Sequence, residues 1–214
     1  MFADLSIPEL VDKARTMFQN AATDAEIMGL LAPFGYDAAD LDAALDLVED
    51  VEDLDATQAE EYADQYEATA AANAAVAALE AKWVRHRKLA RATLQRGSED
   101  YRALGLRGTV PDDDARAVHQ AEQFYRVLTI EPARLTGLRF TAAEVAEGLA
   151  LADAAHDAMA AQQDETGEAQ RATRLRDDQV AVLRATAHEF AEVAKVALED
   201  HPQLREKLGL KEPS

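Results

Sequence analysis

Apolar residues recur along this chain with a spacing near 3.6, and they outline helices from the first turn onward. Ile7, Leu10, Val11, Ala14, Met17, Phe18 and Ala21 form one stripe. It starts behind Ser6, a helix cap with Glu9 three residues on. A break is expected near Thr23, where Thr23 and Glu26 have the spacing of another capping box. A second stripe runs through Leu41, Leu45, Val48 and Val51, and a third through Val76, Leu79, Trp83, Leu89 and Leu94. Further on come Val145, Leu149, Ala152 and Met159, then Val180, Leu183, Phe190, Ala194 and Leu198. The break before that later pair is expected at Glu131-Pro132, because the residue before proline avoids the helical region. "QDETGEA" predicts a turn around Gly167. The matching "DATQAEEYA" holds no Gly or Pro, so that segment either turns at Asp55–Thr57 or runs on as one very long helix. Ser98 and His201-Pro202 predict short closing helices.

The two sets of stripes repeat each other. "YDAADL" at 36–41 and "FTAAEV" at 140–145 stand 104 positions apart. In each, a cap residue (Asp37, Thr141) is followed three positions later by a carboxylate (Asp40, Glu144). Each cap is flanked by a pair placed for a hydrophobic staple, Tyr36 with Leu41 and Phe140 with Val145. The offset continues without a gap through Leu45/Leu149, Ala68-Thr69/Ala172-Thr173, Val76/Val180, Leu79/Leu183, Leu94/Leu198 and Leu104-Gly105-Leu106/Leu208-Gly209-Leu210. The expectation is an all-α protein of two tandem homologous bundles, 1–108 and 109–214, joined at the turn-like "RGTVPDDD". Each half would hold three long helices plus short ones. "GEAQRATRLRD", "EFAEVAKVALED" and "HPQLREKLGL" resemble a group of uncharacterised bacterial tandem helical-bundle proteins of about this size. The resemblance covers the second half best. It implies the helical fold and no site.

Composition sharpens this picture. The chain has no cysteine, nine Gly and six Pro in 214 residues, which favours long helices and excludes thiol chemistry. Its net charge is −19, so it repels nucleic acid and anionic membrane surfaces. Two origins of this acidity stay open: adaptation to high internal salt, and an ordinary acidic surface. No apolar run is long enough to span a bilayer. "MFADLSIPEL" lacks the basic and apolar blocks of a signal peptide, so a cytoplasmic location is expected.

Three patterns invite chemistry. Asp153 and His156 have the carboxylate–histidine spacing of bundle metal sites, and His156 is placed on the core stripe. His119 with Glu122, and His188 with Glu192, lie on neighbouring expected helices. The first half offers Glu49 and Glu52 where the second has Asp153 and His156, so one copy of a two-copy site is imperfect. The alternative is a histidine filling the core beside a local carboxylate, and that reading is favoured. "KWVRHRKLAR" at 82–91 is basic around Trp83. Residues 37–67 hold thirteen acidic residues and no basic one, so charge pairing within or between chains is favoured over nucleic-acid binding. Trp83, Tyr62, Tyr66, Phe124 and Tyr125 are aromatics of the kind that anchor interfaces, though core is the simpler place for Trp83 and Phe124. No phosphate loop and no nucleophile elbow occur, and the three serines are Ser6, Ser98 and the terminal Ser214. The expected role is therefore non-enzymatic: a structural or protein-interaction module, acting through a protein partner or self-association. No cofactor, nucleic acid, membrane or small-molecule substrate is implied. The alternative is a metal-binding bundle in the second half.

Overall fold

A computed structural model describes residues 2–210; Ser214 lies outside them. They form seven α-helices: α1 (Ile7–Thr23), α2 (Ala25–Leu31), α3 (Ala38–Thr93), α4 (Glu99–Ala103), α5 (Asp114–Ile130), α6 (Ala142–Ala197) and α7 (Pro202–Lys207). Two short 3-10 turns, Ala32–Phe34 and Pro132–Leu135, precede the long helices. No strand occurs among the described residues.

The helix starts follow the caps. Ser6 N–H and Oγ–H both donate to Glu9 Oε2, at 2.9 and 2.7 Å. Asp37 Oδ1 accepts from Ala39 N–H and Asp40 N–H, while Asp40 Oδ2 accepts from Asp37 N–H at 2.8 Å. Thr141 Oγ1 accepts from Glu144 N–H at 3.2 Å, and Glu144 Oε2 accepts from Thr141 N–H at 2.8 Å. These bonds satisfy donors that the first helical turn leaves open. The break expected near Thr23 falls one residue later. Asp24 caps α2 by accepting from Glu26 N–H and Ile27 N–H, and Thr23 instead donates back to Gln19 O.

The two long helices depart from expectation. α3 and α6 each run unbroken for 56 residues, so the turn expected around Gly167 does not form. A glycine in a helix costs about 1 kcal/mol against alanine, and the good helix formers around Gly167 outweigh that. With α3 continuous, its acidic front and its basic run "KWVRHRKLAR" share one helix and cannot fold back on each other as an antiparallel pair.

The chain divides into two compact units: residues 1–62 with 168–214, and residues 63–167. These units and the sequence halves 1–108 and 109–214 are different partitions, because each unit takes elements from both halves. In the first unit, Leu10, Ala14, Met17 and Phe18 of α1 pack with Leu41, Val48 and Val51 of α3. Leu183, Phe190, Ala194 and Leu198, and then Leu208 and Leu210, complete that core. In the second unit, Val118, Ala121, Phe124, Tyr125 and Leu128 of α5 pack with Val76, Leu79 and Trp83 of α3. Val145, Ala152 and Ala155 of α6 and the closing Leu104 and Leu106 complete the second core. In both units the closing Leu-Gly-Leu turns on a glycine of positive φ, 60° at Gly105 and 69° at Gly209, where a side chain is disfavoured.

Candidate functional site

The metal candidate is not assembled as the sequence pattern expects. His156 is not on the core face: the buried line of α6 runs through Val145, Gly148, Ala152 and Ala155. The His156 side chain lies one position past it, 48% exposed, so it is not a core filler either. Its Nε2 is 3.3 Å from Glu122 Oε2 on α5. Glu122 also accepts from Arg126, and that cation, with His156, holds the Glu122 carboxyl below its usual range. Asp153 is exposed on α6, and His119 is exposed on α5. His188 and Glu192 belong to the other compact unit. There both are exposed, and Glu192 accepts from Lys195 at 2.6 Å. Of the proposed ligands, only His156 and Glu122 are brought together, and a guanidinium competes for the carboxylate. Glu49 and Glu52 lie on α3 in the first unit, where Glu52 pairs with Arg15.

The basic run is put to structural use. Arg87 is buried, and its Nη2 donates to the carbonyls of Arg107 and Gly108 at 3.1 and 3.2 Å. Arg91 Nε donates to Leu106 O at 2.8 Å, and its Nη2 also reaches Gly108 O. Two guanidiniums thus tie the 106–108 turn to α3. Lys82 pairs with Glu147 of α6. Burial pushes the Arg87 pKa down, and Arg91 beside it adds to the effect. Arg87 Nε and Trp83 Nε1 are buried donors without a hydrogen-bond partner, which is uncommon in a well-formed interior.

A buried polar pair sits beside this region. His86 Nδ1 is 3.2 Å from Tyr125 Oη, and the His86 ring stacks on Phe140 with centroids 4.4 Å apart. Burial lowers the His86 pKa, the principal cause, and Lys82 and Arg85 lower it further; Glu144 and Glu147 oppose them. Burial raises the Tyr125 pKa far above its usual value. Both groups are therefore held neutral. Gly148 makes room for the tyrosine: a Cβ there would stand 2.2 Å from the Tyr125 ring.

The expected interface aromatics separate. Trp83, Phe124 and Tyr125 are core, while Tyr62 and Tyr66 are exposed. A second apolar line, which the main periodicity does not show, runs along α6 in the first unit. Leu175, Val182 and Val196 are 52%, 48% and 61% exposed. Their spacings of seven and fourteen residues keep them on one helix face. Three isolated aliphatics among charges carry a weak signal beside the main buried stripe of the same helix. The pocket residues are equally hidden in the sequence: Arg102 is on α4, Arg107 is in the turn that follows, and Gln120 and Gln123 are on α5.

No helix of the described residues is long and apolar enough to cross a membrane. Neither protein-family models, nor curated proteins, nor solved structures gave a match to this chain.

Proposed function

We propose that the chain is a non-enzymatic protein-interaction module whose docking surface is the Leu175–Val182–Val196 face of α6. The observation that carries the proposal is the exposure of three large aliphatics at heptad-related spacing on one helix. Val193 is half-buried beside them. A line of this kind receives the apolar seam of another helix. The occupant is a basic partner helix. The chain carries −19, and Asp178 and Glu189 are exposed along the same stretch of α6. A second copy would bring like charge to like, which disfavours self-pairing at low salt.

The test places a photo-reactive residue at position 189 and compares the parent with Leu175→Glu/Val182→Glu/Val196→Glu. All three side chains are exposed, so the melting temperature should hold. The expected result is a cross-link to a basic helical segment of another protein, absent in the triple variant. Cross-links that survive the triple substitution, or that map to a second copy of the chain, would overturn the proposal.

The chain also reads as a tandem duplication, and specific contacts support this. α3 and α6 have equal length and start 104 positions apart, at Ala38 and Ala142. α1 and α5 are both 17 residues, starting at Ile7 and Asp114, 107 positions apart. Their buried sets correspond one for one at that offset: Leu10/Ala117, Val11/Val118, Ala14/Ala121, Met17/Phe124, Phe18/Tyr125 and Ala21/Leu128. The Arg15–Glu52 ion pair and the Glu122–His156 contact occupy matching positions with the charges exchanged. By this correspondence, the His156–Glu122 contact is an inter-helix pair rather than half of a metal site.

A further inference from the structure

We infer that the second unit holds a binding site for a small organic oxyanion, a phosphate or carboxylate group on an apolar body. The site is the pocket between the end of α3, the α4 turn and α5. Its volume is about 540 Å³. Arg102, Arg107, His119, Gln120 and Gln123 supply polar groups, and Trp83, Leu104 and Phe124 supply apolar walls. No carboxylate is among its lining residues.

The acids of α4 are already paired. Asp100 and Glu99 of α4 pair with Arg134, which also holds Glu131 at 2.7 Å. Among the described residues, Arg102 makes only a 3.3 Å bond to the Ser98 carbonyl, and Arg107 makes no ion pair. Arg107 also lines an adjoining pocket with Arg91, Arg96 and Tyr101, which has no carboxylate either. The guanidinium fork matches the geometry of phosphate and carboxylate oxygens. Trp83 is buried in the pocket wall with Arg87 5.5 Å from its ring centroid, and its Nε1 is a buried donor without a partner.

The first unit provides an internal comparison. The matching pocket, between Leu208-Gly209 and α1, holds about 350 Å³ and is lined by Glu9, Asp12, Lys13 and Thr16. Asp12 stands where the second unit has His119, Lys13 where it has Gln120, and Thr16 where it has Gln123. Glu206 occupies the position of Arg102, and Ala187 that of Trp83. One pocket therefore carries carboxylates, and the other has become cationic and acquired an aromatic wall. A small anion fits this better than a nucleic-acid strand. A strand would also meet the acidic surface, whereas a small ligand meets only the pocket.

Trp83 is the only tryptophan and stands in the wall of this pocket, so its fluorescence is the readout. The full chain is titrated with phenyl phosphate, benzoate, inorganic phosphate, phenol and a single-stranded oligonucleotide. A saturable change is expected with phenyl phosphate or benzoate below about 10 mM, and none with phenol. The tighter of the two anions assigns the head group. Inorganic phosphate should compete, but more weakly, since it lacks the apolar body. Arg102→Gln and Arg107→Gln should each weaken binding about tenfold. Both residues are exposed, so thermal unfolding should match the parent and exclude misfolding. The proposal is overturned if neither organic anion gives a saturable change, or if both variants bind like the parent. Binding of the oligonucleotide alone, lost in the arginine variants, would overturn it in favour of a polymer site.

Discussion

The two compact units place three rings at matching positions and treat them differently. In the first, Phe190 packs edge-on against Phe18 and Tyr36, with centroids 5.3 and 5.1 Å apart. In the second, the place of Phe190 is taken by His86, that of Phe18 by Tyr125, and that of Tyr36 by Phe140. The first cluster is held mainly by dispersion and the exclusion of water. The second carries a buried hydrogen bond and two groups whose charged forms are suppressed. The same helical frame thus accepts either an apolar or a polar centre, provided both partners of the polar pair change together. A lone His86 or a lone Tyr125 would bury an unsatisfied group, at a cost of about 1–3 kcal/mol.

The largest predicted effect lies at Gly148, whose counterpart in the first unit is the buried Ala44. Gly148→Ala drives a methyl group into the Tyr125 ring. It should destabilise by about 3 kcal/mol, measured by urea unfolding. Ala44→Gly should cost only about 1 kcal/mol. Equal costs at the two positions would show that the second unit is not the tighter one.

Next comes the ring swap. His86→Phe and Tyr125→Phe should each cost about 1–3 kcal/mol by stranding the other partner. The double variant, which writes the residues of the first unit into the second, should recover most of that loss. Simple additivity in the double-mutant cycle would break the equivalence of the two clusters.

The pH dependence sharpens the same point. The folded state lowers the His86 pKa by burial, so below the ordinary histidine range the unfolded chain binds the extra proton. That contribution is complete above the ordinary histidine pKa and is lost as pH falls through the lowered folded one. The parent should therefore melt lower at pH 5 than at pH 7. His86→Phe/Tyr125→Phe should show a shallower decline, measured by calorimetry in buffers of constant ionic strength. A decline of equal steepness in both proteins would remove His86 as its source.

The smallest effects concern the caps and the surface charge. Asp37→Ala and Thr141→Ala should each cost about 1 kcal/mol, and similar values are expected because both boxes are reciprocal. Stability should also rise with KCl, as ions screen the carboxylates crowded over residues 37–67. A melting temperature that stays flat into molar salt would count against adaptation to high salt.

Local rules carried the sequence reading well where one short segment decides the outcome. Ser6, Asp37, Thr141 and Ser98 each cap a helix from their own side chains and those of near neighbours. The core stripes of α1, α3 and α6 follow from periodicity. Gly167 was misread because its local signal is weak, and the surrounding helix formers set its conformation. His156 was misread because 3.6-residue periodicity leaves its position at the edge of the buried arc. The buried line runs through Val145, Gly148, Ala152 and Ala155, and His156 falls just outside it. The pocket residues could not be grouped at all. Arg102, Arg107 and Gln123 meet only after α4 turns back on the Leu-Gly-Leu segment, and no spacing along the chain encodes that.

The unequal division of the chain has a consequence for its synthesis. The second unit occupies one uninterrupted stretch, residues 63–167, whereas the first joins residues 1–62 to residues 168–214. A ribosome therefore completes the second unit while the earlier-made α1 and the front of α3 still lack Leu183, Phe190 and Leu198 to close against. The part made first finishes folding last. Until the C-terminal helices emerge, Leu10, Phe18, Leu41 and Val48 present an open apolar face, the form of nascent chain that aggregates or recruits chaperones.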